Sequence, residues 1–169
     1  MGENKLHRGG CMILKGIIES DTINYKKISM VLEFPICKNF KCDKECGMQV
    51  CQNCKLASAP DIEIDDEVII QMYINNPVTE AIVMQGLEPF DSLSEVINFI
   101  KKFRKVSNDD IVIYTGYTEE EIFPYLDYLK QFNNIIVKFG RFIPNDKPYY
   151  DTLLGVKLAS SNQYAKHIS

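Results

Sequence analysis

Short runs of apolar, often β-branched residues alternate along this chain with segments whose apolar residues recur at helical spacing. The apolar runs predict strands, and the helically spaced segments predict helices. The predicted strands are Ile13–Glu19, Ile28–Phe34, Ala81–Met84, Ile111–Thr115 and Ile135–Lys138. The predicted helices are Asp65–Asn75, a segment from Asp91 or Ser92 to about Val106, and a segment from Thr118 to about Phe132. Cys37–Cys54 follows the second strand and contains Lys, Asp, Asn and Gly, so we expect a loop there.

The alternation of strands and helices predicts an α/β fold, a single small domain whose mostly parallel sheet is flanked by helices. Ala81–Met84 and Ile135–Val137 are apolar without alternation, as expected when helices cover both faces of a parallel sheet. Ligands of such folds bind at the carboxyl ends of the strands. We therefore expect the cysteine loop, Gly86–Pro89 and Gly116 to meet at one sheet edge. We expect residues 1–12 to be a flexible leader and residues 13–169 to form the domain.

Composition and charge narrow the range of partners. The chain has 169 residues, 46% of them hydrophobic, and a net charge of −4. This length suffices for one buried core, and the acidic balance argues against a nucleic-acid surface. No apolar run approaches the roughly 18 residues of a membrane span. Met1–Gly10 lacks the apolar core of a secretory signal, so we expect a cytoplasmic protein that binds neither nucleic acid nor membrane.

Five of the six cysteines are clustered, at Cys37, Cys42, Cys46, Cys51 and Cys54. In a reducing cytoplasm, clustered thiols indicate metal or redox chemistry rather than disulfides. Short loops between thiolates suit an iron–sulfur cluster. A zinc site would favour two CxxC pairs, and only Cys51–Cys54 has that spacing. A structural zinc site stays open as the alternative.

Three further motifs follow predicted strands or lie near the carboxyl terminus. Met84–Pro89 contains Gly86, which permits a close backbone approach to a ligand, and Glu88, which supplies a carboxylate. Tyr114–Thr118 follows the next strand, and Ala159–Gln163 is a polar cluster. Each of these three motifs alone is a weak signal, because glycine turns and polar loops are common in α/β proteins.

Taken in order, the motifs resemble those of the activating proteins of anaerobic ribonucleotide reductases, a family within the radical S-adenosylmethionine (SAM) superfamily. The resemblance covers about Ile28 to Gln163. It departs from the family in two places: no strict C-x3-C-x2-C exists, and Gln85 replaces the first glycine of the GGEP-like turn. The matching motifs are Cys51-Gln52-Asn53, Gly86-Leu87-Glu88-Pro89, Thr115-Gly116-Tyr117, Gly140-Arg141-Phe142 and Ser160-Ser161-Asn162-Gln163.

The resemblance implies two cofactors, a 4Fe–4S cluster and SAM, on a partial (β/α) barrel. The family's cluster ligands fall on Cys37, Cys42 and Cys51, which leaves Cys46 and Cys54 as spare thiols. The set Cys42, Cys46 and Cys51 is a rival. The cofactor-binding residues implied for SAM are Gly86, Glu88, Thr115 and Ser161.

The activity that the resemblance implies is reductive cleavage of SAM to a 5′-deoxyadenosyl radical. The radical would generate a glycyl radical on a separate anaerobic ribonucleotide reductase, with flavodoxin or ferredoxin as the external electron donor. A chain this short has little length for a domain covering a small substrate, which favours a macromolecular one. Two alternatives stay open: a stand-alone radical SAM enzyme acting on a small molecule or nucleotide, and a zinc-stabilised binding module.

Overall fold

The protein is described here by a computed structural model that covers residues 10–169. Its ten strands are β1 Cys11–Leu14, β2 Gly16–Asp21, β3 Ser29–Phe34, β4 Ile62–Asp65, β5 Ala81–Gly86, β6 Asp110–Tyr114, β7 Ile135–Phe139, β8 Tyr149–Asp151, β9 Val156–Leu158 and β10 Tyr164–His167. Its five α-helices are α1 Lys41–Cys46, α2 Cys54–Ala57, α3 Asp66–Asn75, α4 Leu93–Phe103 and α5 Phe123–Leu129. A 3₁₀ turn, Pro89–Ser92, leads into α4.

The main sheet has six strands in the order β10-β7-β6-β5-β3-β2. The four middle strands, β3, β5, β6 and β7, are parallel, and the edge strands β2 and β10 pair antiparallel. The predicted α/β class and parallel strands are confirmed, within a sheet that is mixed. Within residues 10–169 the sheet is open at both edges and forms no closed barrel. The partial barrel of the radical SAM type stays a prediction.

Hydrophobic cores cover both faces of the sheet, which explains the uniformly apolar middle strands. Ala81–Met84 of β5 and Ile135–Val137 of β7 are fully buried. The larger core packs α3, α4 and α5 against one face. The smaller core lies on the other face, where Leu154 and Leu158, at the β8–β9 hairpin, pack beside Val83. The sheet is therefore packed on both faces, and its strand ends can hold functional side chains in defined positions.

The amino-terminal segment differs from the prediction. Residues 1–9 of the predicted leader lie outside the described residues, and its last two residues belong to β1, where Met12 is fully buried. The strand predicted over Ile13–Glu19 is broken at Lys15, whose N–H donates to Glu33 O at 2.7 Å. As a result β1 pairs with β4 in a separate small sheet, and β2 pairs with β3.

The cysteine segment contains two short helices, α1 and α2, where we predicted a loop. Phe40 before α1 and Gly47 after it both adopt the left-handed conformation. Neither helix has a buried residue, so polar contacts and not the core must fix them.

The last helix also begins later than predicted. Thr118 and Glu121 form a capping box where the helix was predicted to begin, since the Thr118 N–H donates to Glu121 Oε2 at 2.8 Å and the Glu121 N–H to Thr118 Oγ1 at 3.4 Å. Regular helix starts only at Phe123. No helix within residues 10–169 has the length and apolarity needed to cross a membrane.

Candidate functional site

A cleft of about 350 Å³ lies at the carboxyl ends of the four parallel strands. The register explains its position, because Phe34 is paired with Gly86 and Tyr114 with Lys138, so the strands end at the same edge. Residues from each strand end and from the cysteine segment line the cleft, among them Cys37, Cys42, Cys51, Asn53, Gly86, Glu88, Tyr114, Thr115, Lys138, Arg141 and Gln163. The predicted meeting of motifs at one edge is confirmed.

The cleft brings three of the clustered thiols together. Cys37, Cys42 and Cys51 line it, whereas among the described residues Cys46 and Cys54 lie outside its lining. All six cysteines are free and partly exposed. The choice of ligands stays a prediction, but its three thiols line the same cleft.

The charge state of two of these thiols is set by burial and by their neighbours. Burial raises the pKa of Cys37, and the negative charges of Glu88, Asp91 and Cys42 raise it further, against a backbone hydrogen bond that lowers it. Burial likewise raises the pKa of Cys51. The two thiols therefore hold their protons at neutral pH and would release them when iron binds.

The donor set fits a cluster. Within residues 10–169, no three His, Cys, Asp or Glu side chains are grouped tightly enough to share one metal ion. In a 4Fe–4S cluster the thiolates bind different irons, so their sulfur atoms need not converge on a single point. Three separate thiols that line one cleft are suited to this arrangement.

Asp43 closes the loop that joins Cys42 to Cys51. Its Oδ1 atom accepts hydrogen bonds from the N–H groups of Val50, at 2.6 Å, and of Cys51, at 2.7 Å. These bonds fix the backbone of one thiol-bearing residue to the helix that carries the other. The loop geometry therefore depends on a single carboxylate.

Two hydrogen bonds attach the cysteine segment to the end of β5 and to the 3₁₀ turn that follows it. The Lys38 N–H donates to Asp91 Oδ2 at 2.7 Å, and Asn53 Nδ2 donates to Gly86 O at 2.7 Å. One bond comes directly after the first thiol of the predicted set, Cys37, and the other comes two residues after the last, Cys51. The segment is therefore held over the cleft from both ends.

Arg141 attaches the same segment to the end of β7. Its guanidinium makes a bidentate contact with Glu121, at 2.9 and 2.7 Å, and donates to Gly116 O at 3.1 Å. Its Nε atom lies 2.8 Å from Glu45 Oε1 in α1, although the N–H does not point at that oxygen. This contact is therefore an ion pair and not a hydrogen bond.

Glu88 links the ends of β5 and β6 inside the cleft. The side chain is buried and accepts hydrogen bonds from Thr115 Oγ1 at 2.8 Å, from the Gly116 N–H at 2.9 Å and from the Phe90 N–H at 3.1 Å. Burial raises its pKa to about 7, against the lowering effect of those three donors. A carboxylate has about four acceptor positions, so Glu88 can accept one more hydrogen bond from a ligand.

Gly86 is required by the sheet itself. Its φ is +101°, and a Cβ added there would lie 2.7 Å from the backbone nitrogen of Phe34. We expected this glycine to allow a ligand to approach the backbone. The close approach observed is that of strand β3, while the Gly86 carbonyl receives the bond from Asn53.

The role of Ser161 in cofactor binding stays a prediction. It is exposed, and both its N–H and its hydroxyl donate to Asp146 Oδ2, at 2.8 and 2.6 Å. Among the described residues it lies outside the cleft lining, whereas Gln163, two residues later, is part of it.

The rest of the terminal motif has a structural role that the sequence did not reveal. Gln163 Oε1 accepts from the Ala159 N–H at 3.1 Å, and its Nε2 donates to Gly140 O at 3.3 Å. Asn162 Nδ2 donates to Arg141 O at 2.8 Å. The motif therefore fixes the backbone of the Gly140–Arg141 step beside the cleft.

Sequence reasoning missed Lys138, a lysine in the wall of the cleft. It belongs to β7 and is only 6% exposed. Its Nζ donates to Gly140 O at 3.1 Å and lies 5.7 Å from the ring centre of Tyr114. Burial lowers its pKa to about 8, while the charges of Glu88 and Cys42 raise it. One lysine within the apolar run of β7 was the signal that could have identified it.

With this geometry in place, comparison with protein families becomes informative. Residues 34–164 match the family described as a 4Fe-4S single cluster domain. The chain belongs to that family. The 4Fe-4S single cluster domain includes all five clustered cysteines, Glu88 and Lys138, so the predicted 4Fe–4S cofactor and the iron–sulfur class are confirmed at this level. Comparisons with curated proteins and with solved structures found no match.

Proposed function

We propose that this protein is a radical SAM enzyme whose cluster, bound by Cys37, Cys42 and Cys51, reductively cleaves SAM. One observation carries the proposal: these three thiols share a single cleft with the Glu88–Thr115 pair. Such a cleft can accommodate a cluster and an organic cofactor side by side. The sequence resemblance to the activating proteins supports the same two cofactors, a 4Fe–4S cluster and SAM.

The residues around the cleft fit both groups. Three thiolates leave one iron without a protein ligand, and that position is where the amino and carboxylate groups of SAM would bind. Glu88 would accept a hydrogen bond from the amino group with its remaining acceptor position. The cleft volume of about 350 Å³ lies within the range of small-molecule sites, roughly 300 to 1,000 Å³.

The chemistry itself belongs to the cofactors. When bound, the cluster would supply one electron for reductive cleavage of the sulfonium C–S bond of SAM to methionine and a 5′-deoxyadenosyl radical. The protein would bind the cluster and SAM and orient them relative to each other. Asp43 and Asn53 fix the thiol-bearing segment, and Thr115 and Gly116 fix the Glu88 carboxylate that would face SAM.

We further propose that the radical takes a hydrogen atom from a glycine of a separate anaerobic ribonucleotide reductase, with a flavodoxin or ferredoxin as electron donor. The matched motifs from Thr115-Gly116-Tyr117 to the terminal Ser160–Gln163 support this choice. In the structure the terminal motif makes hydrogen bonds that fix the Gly140–Arg141 backbone beside the cleft. These contacts link the terminal motif to the candidate site.

The cleavage step is tested by product analysis. The protein is reconstituted with iron and sulfide without oxygen, reduced with dithionite, and mixed with SAM. We expect 5′-deoxyadenosine and methionine from the wild type and from Cys46→Ala, and none from Cys42→Ala. A wild type that holds four irons per chain and forms no 5′-deoxyadenosine would refute the proposal.

The substrate is tested separately by electron paramagnetic resonance (EPR). The reduced protein, SAM and a candidate anaerobic ribonucleotide reductase are combined without oxygen. A glycyl doublet on the reductase is expected. SAM cleavage without any glycyl signal would overturn the macromolecular substrate and favour a small molecule or nucleotide.

A further inference from the structure

Strand β7 carries a positive charge into the wall of the cleft. Lys138 is 6% exposed, and within residues 10–169 no carboxylate lies within ion-pair distance of its Nζ. Of its three N–H donors, one is used, by Gly140 O at 3.1 Å. A buried ammonium group is costly unless negative charge compensates it.

The groups around Lys138 show where that compensation can come from. The negative charges that raise its pKa are those of Glu88 and Cys42, and the aromatic face of Tyr114 lies 5.7 Å from Nζ. Glu88 already receives three hydrogen bonds from other donors. Cys42 belongs to the predicted ligand set and lines the same cleft, so with a cluster bound its thiolate would be one source of the compensating negative charge.

We propose that Lys138 sets the reduction potential of the iron–sulfur cluster, because its buried positive charge stabilises the reduced form. Reduction transfers one electron from an external one-electron donor to the cluster, and no bond forms or breaks. The electron adds negative charge to a group that its thiolates already make anionic. In a poorly solvated site a nearby cation lowers the energy of that extra charge and raises the potential.

The inference depends on the ligand set of the proposed function, and it does not depend on SAM cleavage. Two further lysines line the cleft, Lys41, which is partly buried, and Lys157, which is exposed. Water and salt screen an exposed charge, so Lys157 should have little influence on the cluster. Lys138 and Lys157 therefore form a matched pair for experiment.

The test is an EPR-monitored redox titration of the reconstituted protein without SAM. Lys138→Met should make the midpoint potential more negative, so that at a fixed solution potential the ratio of reduced to oxidised cluster falls about tenfold, or about 59 mV. Lys138→Arg, which keeps the charge, and Lys157→Met should titrate close to the wild type. An unchanged potential in Lys138→Met would overturn the inference.

A second variant keeps the inference testable if Lys138→Met does not assemble a cluster. If Lys138→Met does not bind iron, Lys138→Gln, which can still donate to Gly140 O, is titrated with the same expectation. Loss of the cluster from both variants, with circular dichroism unchanged, would also overturn the inference, since Lys138 would then serve assembly. So would a loss of SAM affinity at unchanged potential. A wild type without a cluster would instead refute the proposed function.

Discussion

Replacing Gly86 with alanine tests whether the candidate site depends on the close contact between β3 and β5. The residue has a φ of +101°, and the new Cβ would lie 2.7 Å from the Phe34 nitrogen and 3.0 Å from two backbone atoms of Glu33. Backbone atoms within a parallel sheet cannot rotate away as the end of a flexible side chain can. The two strands must therefore separate, and Asn53 would lose its carbonyl partner at the proper distance.

The cost follows from two contributions. Positive φ in a residue with a Cβ costs about 1–2 kcal/mol. Overpacking against atoms that cannot move adds about 1–3 kcal/mol. We therefore expect Gly86→Ala to lower the free energy of unfolding by about 2–5 kcal/mol, a large share of the roughly 5–15 kcal/mol typical of a domain.

Gly116→Ala is the matched control in the same cleft. Its φ is unstrained, and the nearest atoms to an added Cβ, Arg141 Cγ and Glu88 Oε2, lie at an ordinary 3.6 Å. We expect a change in unfolding free energy within about 0.5 kcal/mol. Urea unfolding of the apoproteins measures both variants. A Gly86→Ala variant as stable as Gly116→Ala would refute the reasoning.

Other predictions concern the thiols, Glu88 and Asp43. Cys37→Ala, Cys42→Ala and Cys51→Ala should each lose the cluster absorbance, while Cys54→Ala keeps it, and loss in Cys54→Ala alone would contradict the ligand choice. Glu88→Gln should weaken SAM binding roughly 10- to 1,000-fold in calorimetry, at unchanged iron content, because a partly desolvated charged acceptor is removed. Since burial raises the Glu88 pKa from 4.5 to about 7, the folded apoprotein holds this proton more tightly than the unfolded chain, so unfolding free energy should fall as pH rises from about 4.5 to 7. The contribution of Glu88 to this slope should be absent in Glu88→Gln, so the fall in unfolding free energy should be smaller. Asp43→Ala leaves two N–H groups of the cysteine loop without their acceptor and should speed iron loss to a chelator, which is followed by absorbance.

The sequence predicted the middle of the sheet well because those strands are buried on both faces. Ala81–Met84 and Ile135–Val137 are continuous apolar runs, and such runs have few other structural solutions. The strands of the β8–β9 hairpin have three residues each and include polar ones, so no periodicity marks them. Helix α1 begins after a phenylalanine in the left-handed conformation, for which there is no sequence signal.

The candidate site was predictable as far as strand order determined it. The rule that ligands bind at the carboxyl ends of parallel strands placed Glu88 and Thr115 together, and they share a hydrogen bond of 2.8 Å. Ser161 lies on a turn, whose direction no strand pattern determines. Lys138 escaped notice because a lysine at a strand end is usually solvated, and only the tertiary structure shows that this one is buried.

The central claim is that SAM binds at a cluster held by the three thiols of the cleft. The most direct test is the EPR spectrum of the dithionite-reduced protein, recorded with and without SAM. If SAM occupies the open iron, its addition should change the g values of the reduced cluster, and Glu88→Gln should need a higher SAM concentration for the same change. A spectrum that stays the same at saturating SAM, in a protein with four irons per chain, would contradict the account.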